Sequence, residues 1–194
     1  MEGAGTSCDG RALVVGHSFV KRLGRMVGSG EKNVRGHDVE FWGFSGATIQ
    51  RIRQYASRWD LSKFCIVYVE LGTNDLCSSR SAEAVVQDLL DLVHLLQERG
   101  ATKVVLEEIL HRSKMREGGP SVEIFRAKVN VVNSNLRERA LVITGCRVWT
   151  HDKVRSASLL AEDGVHLSDR GMTRYWKSVR GAPLVDLQNR PMIE

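Results

Sequence analysis

The 194-residue chain predicts an α/β fold in three layers, α/β/α, around a five-stranded parallel sheet. Two observations carry this. Short apolar runs alternate with stretches of helical periodicity along the chain, as in a sheet covered by helices on both faces. The runs are also near-continuous in apolar residues, which suits strands buried on both sides.

The first strand is read at 12–15, ending at Gly16, and a short helix follows Ser18. The second is 39–42, ending at Gly43, with another short helix after Gly46. The third is 64–71, ending at Gly72. A helix over 82–99 follows, because Val85, Leu89, Leu92, Leu95 and Leu96 recur at helical spacing and Gly100 supplies a stop. The fourth strand is 104–106. The polar loop 111–120, with Gly118-Gly119-Pro120, is expected to be mobile. A helix over 122–141 carries Ile124, Phe125, Val129, Val132 and Leu136 on one side. The fifth strand is 147–149, and a last helix follows Ser168. Five such strands suggest the flavodoxin-like order 2-1-3-4-5, whose ligand site lies beyond the carboxyl ends of the strands. One domain is expected over 11–182, between a flexible N-terminal tail (1–10) and a C-terminal tail (183–194).

Composition narrows the class. With 42% hydrophobic and 26% charged residues the chain is globular, not disordered. It has no run of about 20 apolar residues to span a membrane, and residues 1–10 lack the apolar stretch of a signal peptide. An intracellular, cytoplasmic protein is expected, or a piece of a longer one. Cys8, Cys65, Cys77 and Cys146 form no C-x-x-C pair, so zinc is not expected. Cys65 reads as a buried thiol, and a disulfide is not expected in a reducing compartment. Net charge is +5 and most basic residues are arginine, which suits phosphate and carboxylate partners.

Chemistry is sought at the strand ends. Ser18, in Gly16-His17-Ser18-Phe19, sits where a strand turns into a helix, near free backbone N–H groups and the positive end of the helix dipole. Taken alone it reads more readily as a plain helix N-cap, which serine favours. Asp163 and His166 stand three residues apart, close enough on a helical turn for the carboxylate to accept from one ring nitrogen or to orient the ring less directly. The other nitrogen would then take the Ser18 proton. Gly46 offers an unobstructed N–H and Asn74 a neutral side-chain donor. With the N–H of Ser18 they supply an oxyanion hole, each donor usually worth about 3 kcal/mol.

These motifs resemble the SGNH/GDSL hydrolases, a family related to platelet-activating-factor acetylhydrolases and lysophospholipase-type thioesterases. Ser18 matches the family's first-block serine, Gly46 its second-block glycine and Asn74 the asparagine of Gly72-Thr73-Asn74-Asp75. Asp163 and His166 match its Asp-x-x-His block. The resemblance runs from about Arg11 to Arg180. It implies the SGNH hydrolase fold and ester hydrolysis through an acyl-enzyme, with no metal and no cofactor. A looser resemblance, to esterase domains of LINE-type retrotransposons and their host-domesticated relatives, fits a basic hydrolase without a secretion signal.

One position departs from the family. His17 stands where Asp usually precedes the serine. Neighbours at a strand end point apart, so His17 is read as a supporting hydrogen-bonding residue and not as the base. On that reading His17→Asp leaves activity intact or raises it. Asp75 is a second supporting candidate.

Other classes fit less well. An α/β-hydrolase needs G-x-S-x-G, and neither Ser18 nor Ser45 has it. A dinucleotide site needs G-x-G-x-x-G after the first strand, which is absent. A metallohydrolase would have to use His17, Asp75, Asp163 and His166. A different class stays open: an SGNH-fold module with weak or lost chemistry that binds anionic lipid or nucleic acid. For substrate, basic residues cluster after Ser18, Gly46 and His166. Arg22, Arg51, Arg170 and Arg174 are expected to rim the site and draw a small anionic ester, a lipid or an anionic membrane surface. Nucleic acid is the weaker partner, because no stacking array accompanies the charge.

Overall fold

The computed structural model describes residues 11–28, 33–34, 37–77, 79–115, 117–154 and 156–188. Strand β1 (Ala12–Gly16) is buried throughout. β2 (Asn33–Val34) lies next in the chain, at the sheet edge. β1 pairs in parallel with β3 (His37–Gly43) on one side and β4 (Ile66–Glu70) on the other. β5 (Val104–Glu107) and β6 (Cys146–Trp149) extend the sheet in parallel beyond β4. The five parallel strands run β3-β1-β4-β5-β6, which is the expected 2-1-3-4-5 order. β2 makes a sixth strand, antiparallel to β3. Two residues carry no periodicity, so the sequence does not announce it.

The described residues form six α-helices around the sheet: α1 (Ser18–Val27), α2 (Ile49–Ala56), α3 (Thr73–Leu76), α4 (Ala82–Glu98), α5 (Val122–Arg139) and α6 (Asp169–Gln188). Serines begin the two long central ones. Ser81 accepts from the Ala84 N–H and Ser121 from the Ile124 N–H, caps worth about 1 kcal/mol each. Successive strand residues point to opposite faces and split the core in two. Leu13, Val15, Val67, Val69, Val104 and Leu106 pack toward α2, α4 and α5. Ala12, Val14, Ile66, Tyr68 and Val105 pack toward α1 and α6. Each fully buried side chain of this kind contributes roughly 1.5–3 kcal/mol.

Register sets up the site. Gly16 lies level with Gly43 and with Glu70, so the segments leaving β1, β3 and β4 emerge side by side at one edge.

Some details differ from the sequence reading. The third strand starts at Ile66, and α5 gives way to a single 3-10 turn at Ala140–Val142. α6 runs to Gln188, past the expected 182/183 boundary. The expected N-terminal tail lies outside the described residues. The loop 111–120 is tied down in part: the Ser113 N–H donates to the Gly164 carbonyl at 2.8 Å, and Lys114 Nζ donates to the Glu162 carbonyl at 2.7 Å. Cys65 is buried, but it is disulfide-bonded and not a free thiol. Among the described residues no helix is long and apolar enough to cross a membrane.

Candidate active site

Three strand-end segments and the turn before α6 meet at this edge. Ser18, Gly46, Asn74 and His166 line one cavity of about 250 Å³, together with Lys21, Arg22, Arg25, Ser45, Arg112 and Val165.

Ser18 is the first residue of α1 and not its cap. The cap is His17, whose Nδ1 accepts from the Phe19 N–H at 3.4 Å. The ring therefore folds back over the helix start, and Nδ1 also lies 3.5 Å from the Ser18 hydroxyl. The rule that neighbours at a strand end point apart fails here, because the chain has already turned. His17 Nε2 lies 2.8 Å from Glu70 Oε1 and 3.2 Å from the Thr73 hydroxyl. Glu70 reaches it because β4 runs beside β1 in register. Both side chains are buried. His17 thus has a buried carboxylate partner that no local spacing reveals.

The Asp-x-x-His pair lies on an irregular turn and not on a helix. Asp163 Oδ1 accepts from the Val165 and His166 N–H groups at 2.9 and 2.8 Å. Its Oδ2 lies 2.6 Å from His166 Nδ1. The backbone bond from His166 and then the ring bond hold the Asp163 carboxyl well below the usual carboxylate range. With Asp163 ionised, Nδ1 carries the proton and Nε2 presents its lone pair. Gly164 adopts φ +62°, and a Cβ there would meet Ser113 Oγ and Lys114 Cγ at 2.6 Å. Glycine therefore lets the turn lie against the 111–120 loop. The His166 ring also sits 6.2 Å, centroid to centroid, from the buried ring of Phe19, the residue after Ser18.

The oxyanion candidates are held from behind. Gly46 lies in a turn closed by the Ala47 N–H on the Phe44 carbonyl at 3.1 Å. Its φ of +67° favours glycine, and nothing lies within 4 Å of where a Cβ would stand. Asp75 accepts from the Ile49 N–H through both oxygens at 3.2 Å and so anchors the start of α2 just beyond that turn. Burial pushes the Asp75 carboxyl up, against the pull of the Ile49 N–H and of Arg80. Asn74 Nδ2 donates to the Ala47 carbonyl at 2.9 Å, leaving its second hydrogen for the cavity. Arg112 donates to Asn74 Oδ1 at 3.3 Å, which fixes which end of the amide is the donor.

Arg112 was not singled out by the sequence. It lies in an irregular loop, where no periodicity marks a buried cation, yet it is only 6% exposed. Of the expected basic rim, Arg22 lines the cavity and Arg51, Arg170 and Arg174 do not. Arg51 instead bonds the Tyr55 hydroxyl at 2.9 Å. Lys21 and Arg25 take their places beside Arg22. Among the described residues no group of three or more His, Cys, Asp or Glu is arranged to hold a metal ion.

A second cavity, of about 320 Å³, shares Arg112 with the first and is lined by Phe19, Leu110, Val154, Leu160 and Leu167 among others.

Deeper in the sheet, Glu107 follows Glu70 on the next strand. Its Oε1 lies 2.7 Å from His151 Nε2, and its Oε2 accepts from the Tyr175 hydroxyl at 2.8 Å. Burial, and then the neighbouring Glu70 carboxyl, push Glu107 well above the usual carboxylate range.

Comparison with known proteins bears on this arrangement. The model of the GDSL-like lipase/acylhydrolase family matches residues 1–174. A search of curated protein sequences finds no match. Among solved structures, a GDSL-like lipase from Bacteroides thetaiotaomicron superposes with a TM-score of 0.74 at 15% identity, covering 92% of this chain and 89% of its own. A carbohydrate esterase family 3 protein from Talaromyces cellulolyticus gives 0.69 at 15% identity, covering 93% and 99%. A mutant acetyl esterase with an acetate ion gives 0.68 at 16% identity, covering 91% and 97%. At these identities the likeness is one of fold.

Proposed function

The chain belongs to the GDSL-like lipase/acylhydrolase family, and from that premise we propose that it is a serine esterase acting on small carboxylic esters through an acyl-enzyme. The observation that carries the proposal is the shared cavity: Ser18, Gly46, Asn74 and His166 line it together, and Asp163 holds the far nitrogen of His166.

In this mechanism Ser18 Oγ attacks the ester carbonyl carbon while its proton passes to His166 Nε2. The imidazolium so formed keeps its Nδ1–H on Asp163. Charge on the carbonyl oxygen is met by the Ser18 and Gly46 N–H groups and the second Asn74 Nδ2 hydrogen. The tetrahedral adduct collapses and expels the alcohol, which takes the proton from His166. Water then attacks the acyl-Ser18 carbonyl, His166 accepts its proton, and the acid leaves as the serine hydroxyl is restored. The second cavity supports a site for the acyl group, since Phe19 and Leu167 follow Ser18 and His166 directly in the chain. Arg112 acts as a positioning residue through Asn74.

The test is Ser18→Ala. Its hydrolysis of p-nitrophenyl acetate falls by at least about 10⁴-fold, because the nucleophile and its base act as a unit. A folded Ser18→Ala protein that turns over at the wild-type rate places the nucleophile elsewhere.

A further inference from the structure

The cations beside Ser18 share a pattern. Lys21, Arg22 and Arg25 stand at i+3, i+4 and i+7 from Ser18 on α1, so all four lie on one helix face. All four also line the same cavity. The three basic side chains are exposed, and among the described residues none is bonded to a carboxylate. Arg112, a buried guanidinium, lines the wall as well, and no carboxylate is among the lining residues. The α1 N-terminus adds its own partial positive charge at Ser18.

Resting on the esterase reading, we propose that the preferred substrate is an ester carrying a second, anionic group, a phosphate or carboxylate, that seats on Lys21, Arg22 and Arg25. Helical rise sets where that group lies. At 1.5 Å per residue, Lys21 and Arg22 stand about 5–6 Å, and Arg25 about 10 Å, along the axis from Ser18. Their side chains lean back toward the helix start. The anion therefore sits roughly one aromatic ring or one glycerol unit away from the scissile carbonyl. Arginine's planar fork matches the two oxygens of such a group. A cleft of one sign raises the local concentration of the opposite charge, most strongly at low salt.

The experiment compares para-acetoxybenzoate with para-acetoxybenzamide, two acetyl esters of nearly the same shape. The carboxamide is the more electron-withdrawing substituent, so intrinsic reactivity favours the neutral ester, and any preference for the anion comes from the protein. The expected wild-type kcat/KM is at least about tenfold higher for the benzoate at low salt, and the ratio shrinks as NaCl is added. In Arg22→Gln/Arg25→Gln the ratio falls to within about twofold of one. Arg170→Gln/Arg174→Gln removes the same net charge away from the cavity and keeps the wild-type ratio. Equal ratios in the wild type and in Arg22→Gln/Arg25→Gln overturn the proposal. So does an equal loss in both double variants, which would reflect net charge alone. A ratio near one, with Arg22- and Arg25-dependent binding to phosphatidylserine vesicles, overturns it in favour of a membrane surface.

If the wild type hydrolyses neither ester, the esterase reading is what fails. The anion site is then read by binding: para-acetoxybenzoate titrated into Ser18→Ala, followed by NMR, binds at least about tenfold more weakly when Arg22 and Arg25 are also glutamine. Equal binding overturns the site as well.

Discussion

Two histidine–carboxylate pairs flank Ser18, and they differ in almost everything but chemistry. His166 and Asp163 lie three residues apart on a turn, with side chains 23% and 49% exposed. His17 and Glu70 come from neighbouring strand ends, with side chains 1% and 5% exposed. On the proposed mechanism this difference favours His166 as the base. A proton arriving on His166 makes a cation that water and Asp163 both stabilise. On His17, the Nδ1 lone pair already accepts from the Phe19 N–H at the start of α1, and the ring is buried. On the proposed mechanism the more accessible pair, Asp163 and His166, exchanges protons. The buried pair is built to hold the chain on both sides of Ser18 in place. One chemistry thus serves two purposes, and solvent access separates them.

The largest expected break in this comparison is His17→Asp. By family resemblance alone that substitution restores the usual residue and spares activity. The structure adds a cost in stability to that substitution, because the new carboxylate would stand against buried Glu70 and set two acids together. Urea denaturation is expected to show about 3 kcal/mol lost, the scale of leaving a buried carboxylate without its partner. A variant as stable as the wild type would mean that Glu70 does not depend on His17.

A smaller effect is expected at Glu107, which extends the buried pair deeper into the fold. Its folded pKa is raised above the unfolded value of about 4.3. Above that pH the unfolded state has released a proton that the folded state still holds, so this group's contribution to stability falls as pH rises. Glu107→Gln removes the titration. The stability difference between variant and wild type should move in the variant's favour between about pH 5 and pH 8. A difference that stays flat across that range would show that Glu107 is not held protonated.

The two pairs also mark what the sequence could and could not disclose. Asp163 and His166 are legible because three residues bring both onto one turn and Gly164 advertises that turn. Ser18, Gly46 and Asn74 are legible because Gly16, Gly43 and Gly72 end apolar runs that a parallel sheet brings to one edge. Glu70 is not legible as the partner of His17. It lies inside the run 64–71 and looks like an ordinary strand residue, and only the register of Gly16 against Glu70 makes it a neighbour. Arg112 fails for the same reason, since its contact with Asn74 spans 38 residues from a loop without period. The basic rim was legible only in part. The face shared by Ser18, Lys21, Arg22 and Arg25 follows from helical spacing, whereas the exclusion of Arg51, Arg170 and Arg174 depends on how α2 and α6 are set against the cavity.

The central claim is that Ser18 is activated by the half-buried His166 and merely supported by the fully buried His17. Fluorophosphonate labelling followed by peptide mass spectrometry tests it most directly, because the reagent reports nucleophile activation without depending on the natural ester. A single adduct on Ser18 is expected in the wild type. Labelling is expected to be at least about 100-fold slower in His166→Ala, and slowed by less than about tenfold in folded His17→Gln. An adduct on another residue, or full-speed labelling of His166→Ala with loss in His17→Gln, would contradict it.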